Sequence, residues 1–222
     1  MNTSDLEPFD FLVRDYARTY PFAYEPLHYF NLAIYFAPEQ ASAQAPLRRW
    51  LAEYFREQPE DTVGWLFALN RTVHQHLEYR PRPEPGIQQA LTTLELGTGS
   101  CRDYATFLIE CARSLGIAAR FVSGYLADLT PGASEGRSMH AWAEVFLPGA
   151  GWRGLDPTHG IFCDSSYVPI AHAVVAESVN PVHGSFAGEA SVVARLTTDV
   201  RVRPVCDDPD AAVPIERWPV AG

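Results

Sequence analysis

Cys101 stands at the head of a helix-forming segment, in the run Gly97-Thr98-Gly99-Ser100-Cys101-Arg102-Asp103. A thiol at a helix N-terminus faces unpaired backbone N–H groups, which favour the thiolate, the form that acts as a nucleophile. Ser100 is placed to cap that helix, and Asp103 supplies the acidic half of a capping-box-like pair. A thiol nucleophile needs a base to move its proton, and the base needs a third group to fix its tautomer. His140 and Asp156 meet those needs in sequence order. Residues 138–147 alternate as a strand, with Met139, Ala141, Ala143, Val145 and Leu147 on one face and His140, Trp142, Glu144 and Phe146 on the other. Pro148-Gly149-Ala150-Gly151 is a turn signal, and 152–156 can return as the antiparallel neighbour before Pro157 ends it. That hairpin puts Asp156 beside the strand carrying His140. The chemistry implied is acyl transfer at an amide carbonyl. Cys101 attacks, His140 shuttles the proton, Asp156 orients His140, and the Cys101 N–H with a second donor receives the oxyanion. Tyr79 and Trp142 are the candidates for that second donor, and His159 for the rim of the cleft.

The elements that must position these groups are legible from periodicity. After Cys101, the residues Tyr104, Ala105, Leu108, Cys111, Ala112 and Leu115 recur at helical steps until Gly116, which predicts a core-facing helix. Residues 46–58 and 61–77 read as two earlier helices, the second with Val63, Leu66, Phe67, Asn70, Val73 and Leu77 on one side. A proline-rich stretch, 80–85, links them to the catalytic helix. Residues 117–125 read as a strand, and 129–137 as a polar, glycine-containing rim next to His140. Residues 9–37 are aromatic-rich and broken by prolines, a pattern of loop and short helix around the core.

The segments Gly99-Ser100-Cys101-Arg102-Asp103-Tyr104-Ala105, His140-Ala141-Trp142-Ala143-Glu144-Val145 and Asp156-Pro157-Thr158 resemble the bacterial branch of the transglutaminase-like superfamily, relatives of papain-type cysteine proteases. The resemblance implies an α+β papain-like core, with the nucleophile's helix packed on an antiparallel sheet, and a triad of Cys101, His140 and Asp156. It covers roughly residues 10–185. Family members continue the aspartate motif with asparagine, where this chain has His159, and follow it with Gly-Arg-Asp, where it has Ala173-Val174-Val175. They also carry a β-rich N-terminal domain, so this chain reads as shortened. The expected division is an N-terminal extension over 1–40, a catalytic domain over 41–203 and a tail over 204–222.

Composition narrows the partners. With 17 basic against 27 acidic residues and a net charge of −10, the 222-residue chain lacks the clustered cations a nucleic acid requires. At 47% hydrophobic content it can bury a full core. Residues 1–10 are polar and acidic, unlike a secretory signal, and no apolar run has the length of a bilayer span. A cytoplasmic protein with no membrane partner is the expectation. Cys101, Cys111, Cys163 and Cys206 lack metal-ligand spacing and read as free thiols. His74 and His76 diverge on their helix and cannot share an ion, and Asp207, Asp208 and Asp210 read as a solvated tail. No metal or other cofactor is therefore expected. The reading is a thiol-dependent enzyme that cleaves or exchanges amide bonds in a peptide or protein, with hydrolysis favoured over transamidation. The competing reading is a non-catalytic peptide-binding module that retains the fold. A redox-sensing thiol fits less well, because Cys111 lies almost three turns from Cys101.

Overall fold

The computed structural model describes residues 12–39, 41–55, 61–82, 84–127, 138–179 and 187–188. The predicted rim at 129–137 and the tail from 204 onward lie outside the described residues. In chain order the elements are α1 (Pro26–Phe36), α2 (Gln44–Tyr54), α3 (Thr62–His76), β1 (Glu78–Tyr79), α4 (Ala90–Leu96), β2 (Thr98–Gly99) and α5 (Cys101–Ser114). Then follow β3 (Ala119–Leu126), β4 (Ser138–Leu147), β5 (Gly151–Asp156), β6 (Ile161–Phe162) and β7 (Tyr167–Ala173). This is the mixed helix and antiparallel-sheet class predicted. The five-stranded sheet has the order β6-β5-β4-β3-β7, every neighbour antiparallel, and α5 packs on β4 and β3.

The strand face assigned to the core does reach it. Ala141, Ala143, Val145 and Leu147 join the cluster that contains Tyr104, Ala105, Phe107 and Leu108 of α5. Trp142 belongs to a separate cluster with Val122 and Tyr167. The helix itself is buried more completely than an amphipathic reading predicts. Every residue from Asp103 to Ser114 is buried, because α2, α3 and α4 enclose the sides that the sheet leaves open. Its polar residues must then find partners inside the protein. Asp103 pairs with Arg82, Glu110 with Arg113 at 3.3 Å, and the Ser114 hydroxyl donates to Cys111 O at 2.7 Å.

The residues before α2 are tied into this core. Tyr20 stacks on Trp65 with ring centroids 4.1 Å apart and donates to Leu115 O, while Tyr24 donates to Phe146 O. Several elements escaped prediction, among them the two-residue strands β1, β2 and β6, helix α4 and strand β7. Helix α4 spans only 7 residues, too few for a periodic signal. Strand β7 contains Pro169, which is tolerated because β7 is an edge strand. Its partner β3 carries Gly124 at a register shift, where a Cβ would lie 2.1 Å from Val168 O. Only glycine permits that approach.

Candidate active site

The head of α5 is set by a dense polar knot. Asp103 Oδ2 accepts from the Ser100 N–H at 2.9 Å and from its hydroxyl at 2.7 Å, and the two residues close a capping box. The fully buried Asp103 carboxylate also accepts from Arg82 Nε at 2.9 Å, Arg82 Nη2 at 3.2 Å and the Gln88 N–H at 2.8 Å. Burial alone would raise its pKa, but Arg82 and these N–H donors outweigh it and hold the carboxyl below its ordinary value. Asp103 therefore serves two ends. It fixes the turn that presents Cys101, and through Arg82 it draws the proline-rich segment against the helix, so that Pro85, Gly86 and Ile87 form one wall of a cleft. That cleft, about 470 Å³, is lined also by Cys101, Arg102, Met139 and His140.

The hairpin delivers the other two groups. Ala143 pairs with Leu155, so Asp156 ends β5 beside the strand that carries His140. His140 Nε2 lies 2.7 Å from Asp156 Oδ2, and Cys101, which lines the cleft with His140, lies close enough to act on the same ring. With Nε2 engaged by the carboxylate, Nδ1 is the nitrogen left to serve a thiol. Cys101, His140 and Asp156 thus lie close together at the cleft. Burial would push the His140 imidazole down, but the hydrogen bond to Asp156, followed by the one to Cys101, raises it to about 9. The ring is therefore an imidazolium near neutral pH. A folded pKa above the ordinary value of about 6.5 means that this contribution to stability is full below about pH 6.5 and is lost as pH rises through 9. The melting-temperature gap between the wild type and His140→Gln should accordingly shrink between pH 6.5 and 9.

Asp156 does more than hold His140. Its Oδ2 also accepts from His159 Nδ1 at 2.6 Å and from the Tyr167 hydroxyl at 2.7 Å, and its Oδ1 accepts from the Thr158 N–H at 2.8 Å. Burial opposes ionisation, yet His140, His159 and Tyr167 together keep the carboxyl well below the ordinary range. An ionised carboxylate only accepts, so His140 Nε2 and His159 Nδ1 both carry hydrogen. The turn that follows is pinned by α3. Asn70 Nδ2 donates to Asp156 O at 3.2 Å and Ile161 O at 3.0 Å, and His74 Nδ1 lies 2.9 Å from Thr158 O. His74 is thus an anchor of the aspartate turn instead of a free surface histidine.

Three sequence candidates fall out differently. Tyr79 pairs with Gly99 across the short β1–β2 ladder, and its phenol is pushed up by burial and then by the neighbouring Cys101, which keeps it a neutral donor. Trp142 shares the β4 face of His140, but its indole is buried against Val122 and Tyr167 and is not among the residues that line the cleft. His159, its side chain 47% exposed, binds Asp156 and is not among the residues that line the cleft. Tyr167 was missed, since nothing local marks a tyrosine 11 residues past the aspartate as its ligand. Tyr167→Phe should leave Cys101 and His140 in place while lowering kcat by about tenfold, the worth of about one charge-assisted hydrogen bond. Steady-state kinetics with a KM unchanged within twofold would check this.

The comparisons bear on what this arrangement belongs to. A sequence profile described as the transglutaminase-like superfamily matches residues 49–157, a span that begins in α2 and includes all three converging residues. The core of this chain belongs to the transglutaminase-like superfamily. An uncharacterized protein of Mycobacterium tuberculosis is 36% identical over 124 residues, 52% of this chain and 38% of the relative. A protein-glutamine gamma-glutamyltransferase of Pseudomonas aeruginosa is 31% identical over 128 residues, 52% of this chain and 19% of that protein. This chain therefore spans well under two thirds of the length of these relatives. Among solved structures, a candidate cysteine protease of Cytophaga hutchinsonii superposes with a TM-score of 0.59 at 22% identity, covering 74% of this chain and 53% of that one. That likeness establishes the papain-like transglutaminase fold.

Proposed function

We propose that this protein is a thiol-dependent acyl-transfer enzyme acting on an amide bond of a peptide or protein, with water as the usual acceptor. The observation that carries the reading is the His140 ring held between Cys101 and Asp156 at the edge of an open cleft. The Cys101 thiolate attacks the carbonyl carbon, and the negative charge moves to oxygen. The Cys101 N–H at the head of α5 receives that charge. His140 passes its proton to the leaving amine as the C–N bond breaks, which leaves a thioester on Cys101. Water then attacks while His140 takes its proton, the C–S bond breaks, and the carboxylic acid leaves.

Support for hydrolysis comes from the partial exposure of Cys101 and of Met139 at the mouth of the cleft, which admits water to the thioester. An amine competes only where water is excluded and the amine is bound. Peptide substrate incubated with a primary amine at modest excess, and analysed by mass spectrometry, separates the two outcomes. Free acid should dominate, and a majority of amine adduct would make transamidation the activity.

The same geometry predicts selective labelling. Cys111 is fully buried and burial pushes its thiol far up, and burial also raises Cys163. Among the described cysteines, only Cys101 lines the cleft with His140. Iodoacetamide at neutral pH should modify Cys101 well before Cys111 or Cys163, as read by peptide mapping, and comparable labelling of all three in the folded protein would contradict the assignment.

A further inference from the structure

Beside the cleft lies a second, smaller pocket of about 140 Å³, lined by Glu39, Ile87, Gln88, Thr106, Glu110 and Glu177 among others. Ile87 and Glu177 line both pockets, so the smaller is a side chamber of the cleft that holds Cys101. Three carboxylates border it. Arg113 pairs with Glu110 at 3.3 Å and is otherwise spent on Ala119 O and Val174 O, so its one positive charge leaves an excess of negative charge. Glu39 and Glu177 lie close enough to repel: burial first, then the Glu177 charge, raises the Glu39 carboxyl, with Arg113 opposing and Glu110 adding to the rise. A second observation is independent of the charges. Thr106, only 5% exposed and part of the lining, has a hydroxyl with no hydrogen-bond partner among the described residues. Buried hydroxyls without partners are uncommon, and one lining a pocket calls for a polar group from outside.

We propose that this side chamber is a specificity subsite that binds the basic side chain of a lysine or arginine in the peptide substrate. The inference rests on the acyl-transfer reading of Cys101 and names the substrate class for that site. The cation relieves the repulsion between Glu39 and Glu177, the Thr106 hydroxyl takes up a polar contact, and Ile87 packs on the methylene stem. The bound group is recognised, not consumed. Neither Cys101 nor His140 lines the chamber, and an ammonium ion-paired to carboxylates stays protonated and cannot act as the attacking amine.

The test is binding to the full chain carrying Cys101→Ala, which separates recognition from turnover. Acetyl-Ala-Lys-Ala-amide and its arginine counterpart are titrated against acetyl-Ala-norleucine-Ala-amide by calorimetry or NMR shift perturbation. At least one basic peptide should bind ten times or more tighter than the norleucine peptide, with the preference falling as salt is raised. In Glu39→Gln/Glu177→Gln, two exposed positions, the preference should drop to threefold or less. Equal affinity for all three peptides overturns the proposal, as does a basic preference that survives the double substitution. Failure of the acyl-transfer reading shows elsewhere, in the loss of selective iodoacetamide labelling at Cys101.

Discussion

Cys101→Ala is expected to reduce turnover by a factor on the order of 10^5 to 10^6 in kcat, the scale seen when a nucleophile is removed from a triad, with the fold retained. The two halves of that expectation have different origins. The loss follows because the proposed mechanism forms the bond to carbonyl carbon at the Cys101 sulfur, and no other described thiol lines the cleft. The retention follows because the head of α5 is held without the sulfur, by Ser100, Asp103, Arg82 and the Gln88 N–H. Removing a half-buried sulfur should cost about 1 kcal/mol or less of stability. Kinetics with thermal melts on the same preparation would check both. Full activity in the alanine variant would remove Cys101 from the mechanism.

Asp156→Asn should slow turnover by about 10^4, the magnitude associated with losing the orienting carboxylate of a triad. Its consequences here run past His140. The carboxylate oxygen faces three donors, from His140, His159 and Tyr167, and an asparagine can turn only one acceptor oxygen toward them while its amide NH2 meets the Thr158 N–H. The imidazolium loses its strongest support, so the His140 pKa should fall back from about 9 toward its ordinary value. Stability should drop as well, by about 1–3 kcal/mol for the buried donors left without partners. The pH profile is the discriminating readout, because a purely structural loss would lower activity without moving it. Histidine NMR titrations of the two proteins measure the shift directly.

The parts of this site that sequence exposes are those fixed by local rules. The glycine turn, the Ser100 and Asp103 cap and the helical spacing after Cys101 are each written within a few residues, and the turn at 148–151 sets the hairpin that joins His140 to Asp156. What stayed hidden depends on distant packing. Asp103 gave its capping role but not its bond to Arg82, since pairing a proline-rich segment with the helix requires the tertiary fold. Glu110 and Arg113 fall outside the apolar spacing of α5, yet the surrounding helices bury them. Asn70 did leave a trace: a polar amide inside the apolar stripe of α3 implies a buried partner, which is the Asp156 turn. Tyr167 left none, because Pro169 obscured its strand and the sheet order sets two strands between β7 and the β5 that carries Asp156, a contact no local pattern marks. The surroundings of Trp142 stayed hidden because strand alternation names a face without saying what covers it, and Val122 and Tyr167 cover this one.

The central claim is that Cys101 carries the acyl group. It is tested most directly by mixing the protein with an activated acyl ester, quenching in acid within the first turnover, and locating the added mass by peptide mapping. The account predicts one acyl group, in a hydroxylamine-labile thioester on the peptide containing Cys101, and none on that peptide in Cys101→Ala. An acyl group on another residue, or turnover with no adduct at Cys101 under conditions where acylation outpaces its release, would contradict it.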